Sequence, residues 1–206
     1  MGLPWGILPI VTVETVSQAE YLTDILLDEG VTQLEIVFRS AIAPEAIETV
    51  RKKFPEMLIG AGTLKTLTDF NIARDAGAQF FISPCYIENI SQETSKLGLD
   101  YVPGVASPLE AWTALMAGWK CLKFFPAQAC GGLAWIKAVS APFPEILWMP
   151  SGGISLDEAR DYLKLAEVSC VGIGEIARLS DLRLARWDTI RNLAGKAGEI
   201  NGTYTR

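Results

Sequence analysis

The chain has 206 residues, half of them hydrophobic and a fifth charged, with a net charge of −6. That length and balance suit one folded soluble core. The basic residues are scattered, without the basic stripe that nucleic-acid binding leaves, and no apolar run approaches the ~20 residues of a membrane helix.

The start, Met1-Gly2-Leu3-Pro4-Trp5-Gly6, lacks the basic segment of a signal peptide, so a cytoplasmic protein is expected. From there, short β-rich segments recur at intervals of roughly two dozen residues, each followed by a helix-like stretch. The first strand is predicted over 6–12 with its helix over 17–28, and the second over 33–38 with its helix over 44–54. The third strand (57–60) precedes a helix over 67–76, and the fourth (79–83) one over 87–97. The fifth strand (101–104) leads to a helix over 108–117, and the sixth (120–125) to one over 133–139. The seventh strand (146–150) and helix (156–165) are followed by an eighth strand over 168–173 and a helix from about 184 to 198.

Ser17 with Glu20, Ser107 with Glu110, and Ser155 with Glu158 fit the Ser-x-x-Glu box that starts a helix. Gly30, Gly77, Gly98 and Gly118 fall just past helical stretches, where a left-handed residue ends them. Eight strand–helix units in this length predict an α/β fold of the (β/α)₈ TIM-barrel type, preferred over an open doubly wound sheet. Residues 1–206 read as a single domain in which 201–206 form a loose tail.

In such a barrel, chemistry belongs at the C-terminal ends of the strands. Lys123 stands in the apolar run Cys121-Leu122-Lys123-Phe124-Phe125-Pro126. Apolar surroundings disfavour an ammonium ion, and a neutral amine attacks ketones to form an imine. The bland alternative is a lysine that snorkels to water. In Gln33-Leu34-Glu35-Ile36-Val37-Phe38-Arg39, alternation puts Glu35 and Arg39 on the face opposite Leu34, Ile36 and Phe38, and if that apolar set faces the surrounding helices, Glu35 points into the barrel. A carboxylate there serves as a proton shuttle or as a structural partner of a cation. Arg39 offers a planar fork for a carboxylate, but reaches the same substrate as Glu35 only where the chain bends.

The small residues of Ile59-Gly60-Ala61-Gly62-Thr63 allow close approach of a ligand, or merely make a tight turn. Pro150-Ser151-Gly152-Gly153-Ile154 and Gly172-Ile173-Gly174-Glu175 end the seventh and eighth strands, where such barrels bind phosphate. Glu175 opposes a phosphate unless it points away. With no histidine in the chain, proton transfer falls to a carboxylate, lysine, tyrosine, cysteine or water. Cys85, Cys121, Cys130 and Cys170 form no metal-type pair and read as buried reduced thiols.

These stretches, with Leu8-Pro9-Ile10, Phe81-Ile82-Ser83-Pro84, Val102-Pro103-Gly104 and Leu122-Lys123-Phe124-Phe125-Pro126-Ala127, run over nearly the whole chain in the order seen in one family. The sequence resembles the class I aldolases that cleave 2-keto-3-deoxy-6-phosphogluconate and 4-hydroxy-2-oxoglutarate. The resemblance implies a homotrimeric, metal-free barrel enzyme acting on a small keto acid through a lysine Schiff base. It assigns the imine to Lys123 and the acid/base role to Glu35. It gives the pyruvate-derived carboxylate to Arg39 and Thr63, and a phosphate loop to Gly152 and Gly153. Phe125, Ser151 and Gly174 complete the implied substrate-binding set.

Three positions depart from the family pattern. Ser151 stands for its usual threonine, Gln128 for a frequent glutamate, and Glu175 for the serine of a Gly-Ser pair. The last of these weighs against a phosphorylated substrate. The other readings of the same pattern are a non-catalytic barrel that binds a small acid and a phosphosugar isomerase, neither of which needs the lysine.

Overall fold

The computed structural model describes residues 2–204. Strand β1 (Gly6–Val11) is followed by helix α1 (Val16–Asp28), β2 (Gln33–Val37) and α2 (Ala43–Lys53). Next come β3 (Leu58–Gly62), α3 (Leu67–Asp75), β4 (Phe80–Ile82), α4 (Glu88–Leu97), β5 (Asp100–Val102) and β6 (Gly104–Val105). Helix α5 (Pro108–Met116), β7 (Cys121–Phe124), a 3₁₀ turn (Gln128–Cys130), α6 (Gly132–Ser140) and β8 (Leu147–Pro150) lead into the last quarter. That quarter holds α7 (Leu156–Leu163), β9 (Cys170–Ile173), α8 (Leu179–Arg183) and α9 (Trp187–Thr203).

All strand pairs are parallel. One sheet runs in the order β5-β4-β3-β2-β1-β9 and the other in the order β6-β7-β8. β5 and β6 are the predicted fifth strand, interrupted at Pro103, which has no N–H to give to a ladder. Its carbonyl still accepts from Lys123 N at 2.9 Å. Single bridges, Trp148 to Val168 and Ser151 to Gly172, join β8 to the neighbourhood of β9.

Two cores follow from side-chain alternation. Leu34, Ile36, Ile59, Leu122, Phe124 and Val171 face the helices in the larger one. Leu8, Phe80, Ile82, Val102, Cys121, Met149 and Cys170, drawn from strands of both sheets, pack on one another in a second cluster. Strands of two sheets share an inner core only when the sheets curl around it, and that curl carries the site. Gly60 makes room for this interior, since a Cβ there would lie 2.0 Å from the Phe80 ring.

The capping boxes at Ser107 and Ser155 form as expected, and an unforeseen one forms at Thr66 with Asp69. Helix α1, by contrast, is capped by Thr15, which accepts from Gln18 N, so the Ser17–Glu20 box does not form. Gly30, Gly77, Gly98 and Gly118 all have positive φ.

The end of the chain corrects two expectations. The last predicted helix is two elements, α8 and α9, divided near Ala185 at φ 49°. The predicted loose tail begins instead as helix, for α9 continues to Thr203. Asn201 is buried, its Oδ1 accepting from Ile7 N at 2.7 Å, so these residues dock on β1. Residues 205 and 206 of that expected tail lie outside the described residues. Among the described residues no helix is long and apolar enough to cross a membrane.

Candidate active site

Lys123 is flanked in β7 by Leu122 and Phe124, both in the helix-facing core, so its side chain turns inward like that of Cys121. Glu35 lies between Leu34 and Ile36 on β2 and turns inward for the same reason. The two meet inside the curl, Lys123 Nζ lying 3.5 Å from Glu35 Oε1, with Lys123 6% exposed and Glu35 fully buried. Their fields reach a third interior group, Cys170. Its thiol is pushed well above its ordinary value by burial first, then by Cys121 and Glu35, with Lys123 opposing.

Gly62, at the end of β3, is what lets Glu35 fit. A Cβ at that position would lie 1.8 Å from Glu35 Oε1. The other carboxylate oxygen, Oε2, is buried without a hydrogen-bond partner among the described residues. Such an atom is costly to maintain and is available to take a proton from a bound hydroxyl. Thr63, directly after Gly62, is held at φ 59°, a left-handed conformation that is a genuine outlier for a β-branched residue.

Phe125 covers the amine, its ring centroid 5.4 Å from Lys123 Nζ. The loops after β7 and β8 are laced together behind it. Ala127 N donates to Ser151 O at 2.8 Å, Gln128 N to Gly152 O at 3.1 Å, and Ser151 N to Phe124 O at 3.0 Å. Gly152, at φ 100°, lies so close to Phe125 that a Cβ would sit 3.1 Å from the ring. Gly153 is packed on Gln128, and Gln128 donates from Nε2 to Glu158 Oε1 at 2.7 Å. Ser151 is buried, with its hydroxyl over Gly172.

The chain bends directly after β2. β2 stops at Val37, and Arg39 N donates to Val37 O at 2.8 Å in a three-residue turn. Arg39 then lines a cleft of about 600 Å³ with Val37, Ser40, Gly174 and Arg178. Lys123 and Glu35 do not line that cleft, which begins two residues further along β2. The structure thus places Lys123, Glu35, Phe125 and Gly152 in one cluster, and Arg39 with Gly174 in the next space along.

Two features escaped the sequence reading. Across the cleft, Arg183 donates from Nε to Glu14 Oε2 at 2.9 Å, which holds the Glu14 carboxyl below its ordinary value. Glu175, near Gly174, turns toward helix α7, where its Oε1 accepts from Leu156 N at 2.8 Å. A Gly-Glu pair with an arginine three residues later was the visible signal for an ion pair, but not for that direction. Among the described residues, no group of three or more His, Cys, Asp or Glu side chains is placed to hold a metal.

Comparison with known proteins matches the aldolase family pattern described as KDPG and KHG aldolase over residues 5–193. The chain belongs to the KDPG and KHG aldolase family. It is 37% identical over 200 residues to the 2-dehydro-3-deoxy-phosphogluconate aldolase of Pseudomonas aeruginosa, covering 97% of this chain and 91% of that one. The KHG/KDPG aldolase of Escherichia coli is 33% identical, with 94% and 91% of the two chains covered. Among solved structures, the KDPG aldolase of Legionella pneumophila superposes with a TM-score of 0.89 at 34% identity, covering 94% of each chain. That crystal holds pyruvate captured as a covalent carbinolamine intermediate. The KDPG and KHG aldolases are carbon–carbon lyases.

Proposed function

We propose that this chain is a class I aldolase that splits a 2-keto-4-hydroxy acid into pyruvate and an aldehyde through an imine at Lys123. The observation that carries the reading is the buried contact of Lys123 Nζ with Glu35 Oε1 at 3.5 Å. A proton passes across that contact from the ammonium to the carboxylate, leaving a neutral amine beside a carboxylic acid. The amine adds to the C2 ketone, and Glu35 then protonates the resulting hydroxyl so that it leaves as water. The protonated imine is the electron sink.

Glu35, again a carboxylate, takes the proton of the C4 hydroxyl. The C3–C4 bond breaks, its electrons move into the imine, and an aldehyde departs from a pyruvate enamine. Glu35 returns its proton to C3, and water hydrolyses the imine to release pyruvate. One carboxylate thus carries each proton, a role that general acid–base residues fill at about 10²–10⁴-fold in rate. Arg39 and Thr63 hold the pyruvate-derived carboxylate in this scheme, while Phe125, Ser151, Gly152, Gly153 and Gly174 shape the remainder of the site. Incubation with pyruvate and borohydride tests it: covalent mass is expected on the peptide carrying Lys123. Labelling that persists in Lys123→Ala would sink the reading.

The full architecture proposed is one closed ring of eight strand–helix units. It is supported by the bridges from Trp148 to Val168 and from Ser151 to Gly172, and by the Lys123 N to Pro103 O bond across the interrupted strand. A cytoplasmic homotrimer is proposed with it. Leu109, Trp112 and Met116 line one exposed apolar stripe of α5, the kind of surface that a second copy covers. Sedimentation equilibrium giving a monomer mass would refute the trimer.

A further inference from the structure

Phe125, whose ring covers the Lys123 amine, is the first residue beyond β7. Its backbone N–H still donates to Val105 O at 3.1 Å, but its ring packs on a loop, against Gly152, where a Cβ would come within 3.1 Å of it. The place of the ring therefore depends on how the loops after β7 and β8 are held to each other. Backbone bonds from Ala127 N to Ser151 O and from Gln128 N to Gly152 O make one tie. The Gln128 side chain makes a second that reaches past the loop. Its Nε2 donates to Glu158 Oε1 at 2.7 Å, in the first turn of α7.

Gln128 is exposed, and a lone surface hydrogen bond contributes little. This one is hemmed in. Gly153, at φ 82°, lies so close that a Cβ would sit 3.0 Å from Gln128 Cβ. A Cβ on Gly132, at the start of α6, would sit 2.9 Å from Gln128 Oε1 and 2.8 Å from the Tyr162 hydroxyl. Glu158 is fixed in turn, its other oxygen accepting from Ser155 N at 2.8 Å and from Ser155 Oγ at 2.7 Å. A charged acceptor held in place needs a donor opposite it, and the amide of Gln128 supplies one.

We propose that Gln128 is a positioning residue: its bond to Glu158 clamps the β7 loop to α7 and keeps the Phe125 ring closed over Lys123. This rests on the aldolase reading above and adds to it a residue that touches no reacting atom. With the clamp released, the loops part, the ring lifts from Gly152 and water enters beside the amine. Amine and ketone are then held less closely, and imine formation slows.

Gln128→Glu tests the clamp in the full-length protein, since it removes the donor at nearly constant shape and sets two carboxylates against each other. The kcat/KM for pyruvate release is expected to fall about fivefold to tenfold, part of the ~10²-fold that an ångström of misplacement costs. Combining it with Glu158→Gln restores one donor and one acceptor, and a glutamine still suits the helix start that Glu158 completes. That exchange should return kcat/KM to within about twofold of the unmodified chain, as coupling between touching side chains requires. A role in stability alone would lower the melting temperature of Gln128→Glu and leave its kcat/KM untouched well below the transition.

Peptide-resolved labelling of Lys123 with trinitrobenzenesulfonate reads the cover without turnover. Its rate should rise about threefold or more in Gln128→Glu, as local opening predicts, and fall back in the exchange. Either readout unchanged in Gln128→Glu, or a loss that the exchange fails to repair, would overturn the proposal. Failure of borohydride trapping at Lys123 would overturn the aldolase reading instead, leaving the labelling rates to judge Gln128 by themselves.

Discussion

At the scale of single residues, the site depends on how closely two inward side chains are held. Glu35→Gln keeps the shape of Glu35 but not its proton traffic. It should still allow a borohydride-trappable imine, formed slowly, while pyruvate release falls by about 10²–10⁴-fold. Normal turnover in that variant would reduce Glu35 to a structural partner of Lys123. Gly62→Ala tests the same geometry without touching a reacting group. Its methyl would occupy the place of Glu35 Oε1, which must shift by an ångström or more, and such misplacement costs about 10²-fold in rate. The readout is kcat/KM against an unchanged circular-dichroism spectrum. Arg39→Ala should raise the KM for the keto acid, and Arg39→Lys should restore little of it, because an ammonium lacks the planar fork. Saturation curves identical to those of the unmodified chain would remove Arg39 from the site.

At the scale of elements, the alternation of strands and helices was legible because parallel pairing forces each strand to be followed by a crossover of similar length. The inward direction of Glu35 was legible for a related reason: it lies between apolar neighbours, and side chains alternate. The turn at Arg39 was not legible, since Phe38-Arg39-Ser40 contains neither glycine nor proline to announce it. The split at Ala185 was hidden likewise, because an alanine in the left-handed region gives no compositional warning. Nor does composition reveal that Glu175 turns to α7, a choice made by which donor lies nearest. The end of α9 misled because polar residues suggested a tail, whereas one of them, Asn201, is an anchor. Asn201→Ala would strip the buried Ile7 N–H of its partner and cost about 1–3 kcal/mol of stability, measurable by urea unfolding.

At the scale of the molecule, pH acts through groups whose acidity folding changes. Glu158, held below its ordinary value chiefly by the Ser155 backbone N–H, and Glu14, held down by Arg183, bind fewer protons in the folded chain. Their contributions are therefore present above about pH 4.5 and are lost as pH falls through the lower folded values. Tyr101 acts at the other end. Burial pushes its hydroxyl up from 10.0 to about 12, so the folded chain keeps a proton that the unfolded chain has lost. Stability should decline from pH 10 toward 12, and Tyr101→Phe should flatten that decline in thermal melts. The six-strand sheet carries Glu35 and the three-strand sheet carries Lys123, so the reacting pair spans the seam between them. Relative slippage of the two halves would part amine from carboxylate and break the bridges from Trp148 to Val168 and from Ser151 to Gly172, while the ladders within each sheet stayed intact. The chemistry is thereby a gauge of alignment: in rising urea, pyruvate release should vanish at a lower concentration than ellipticity does, and coincident midpoints would mean that the halves move only by unfolding together.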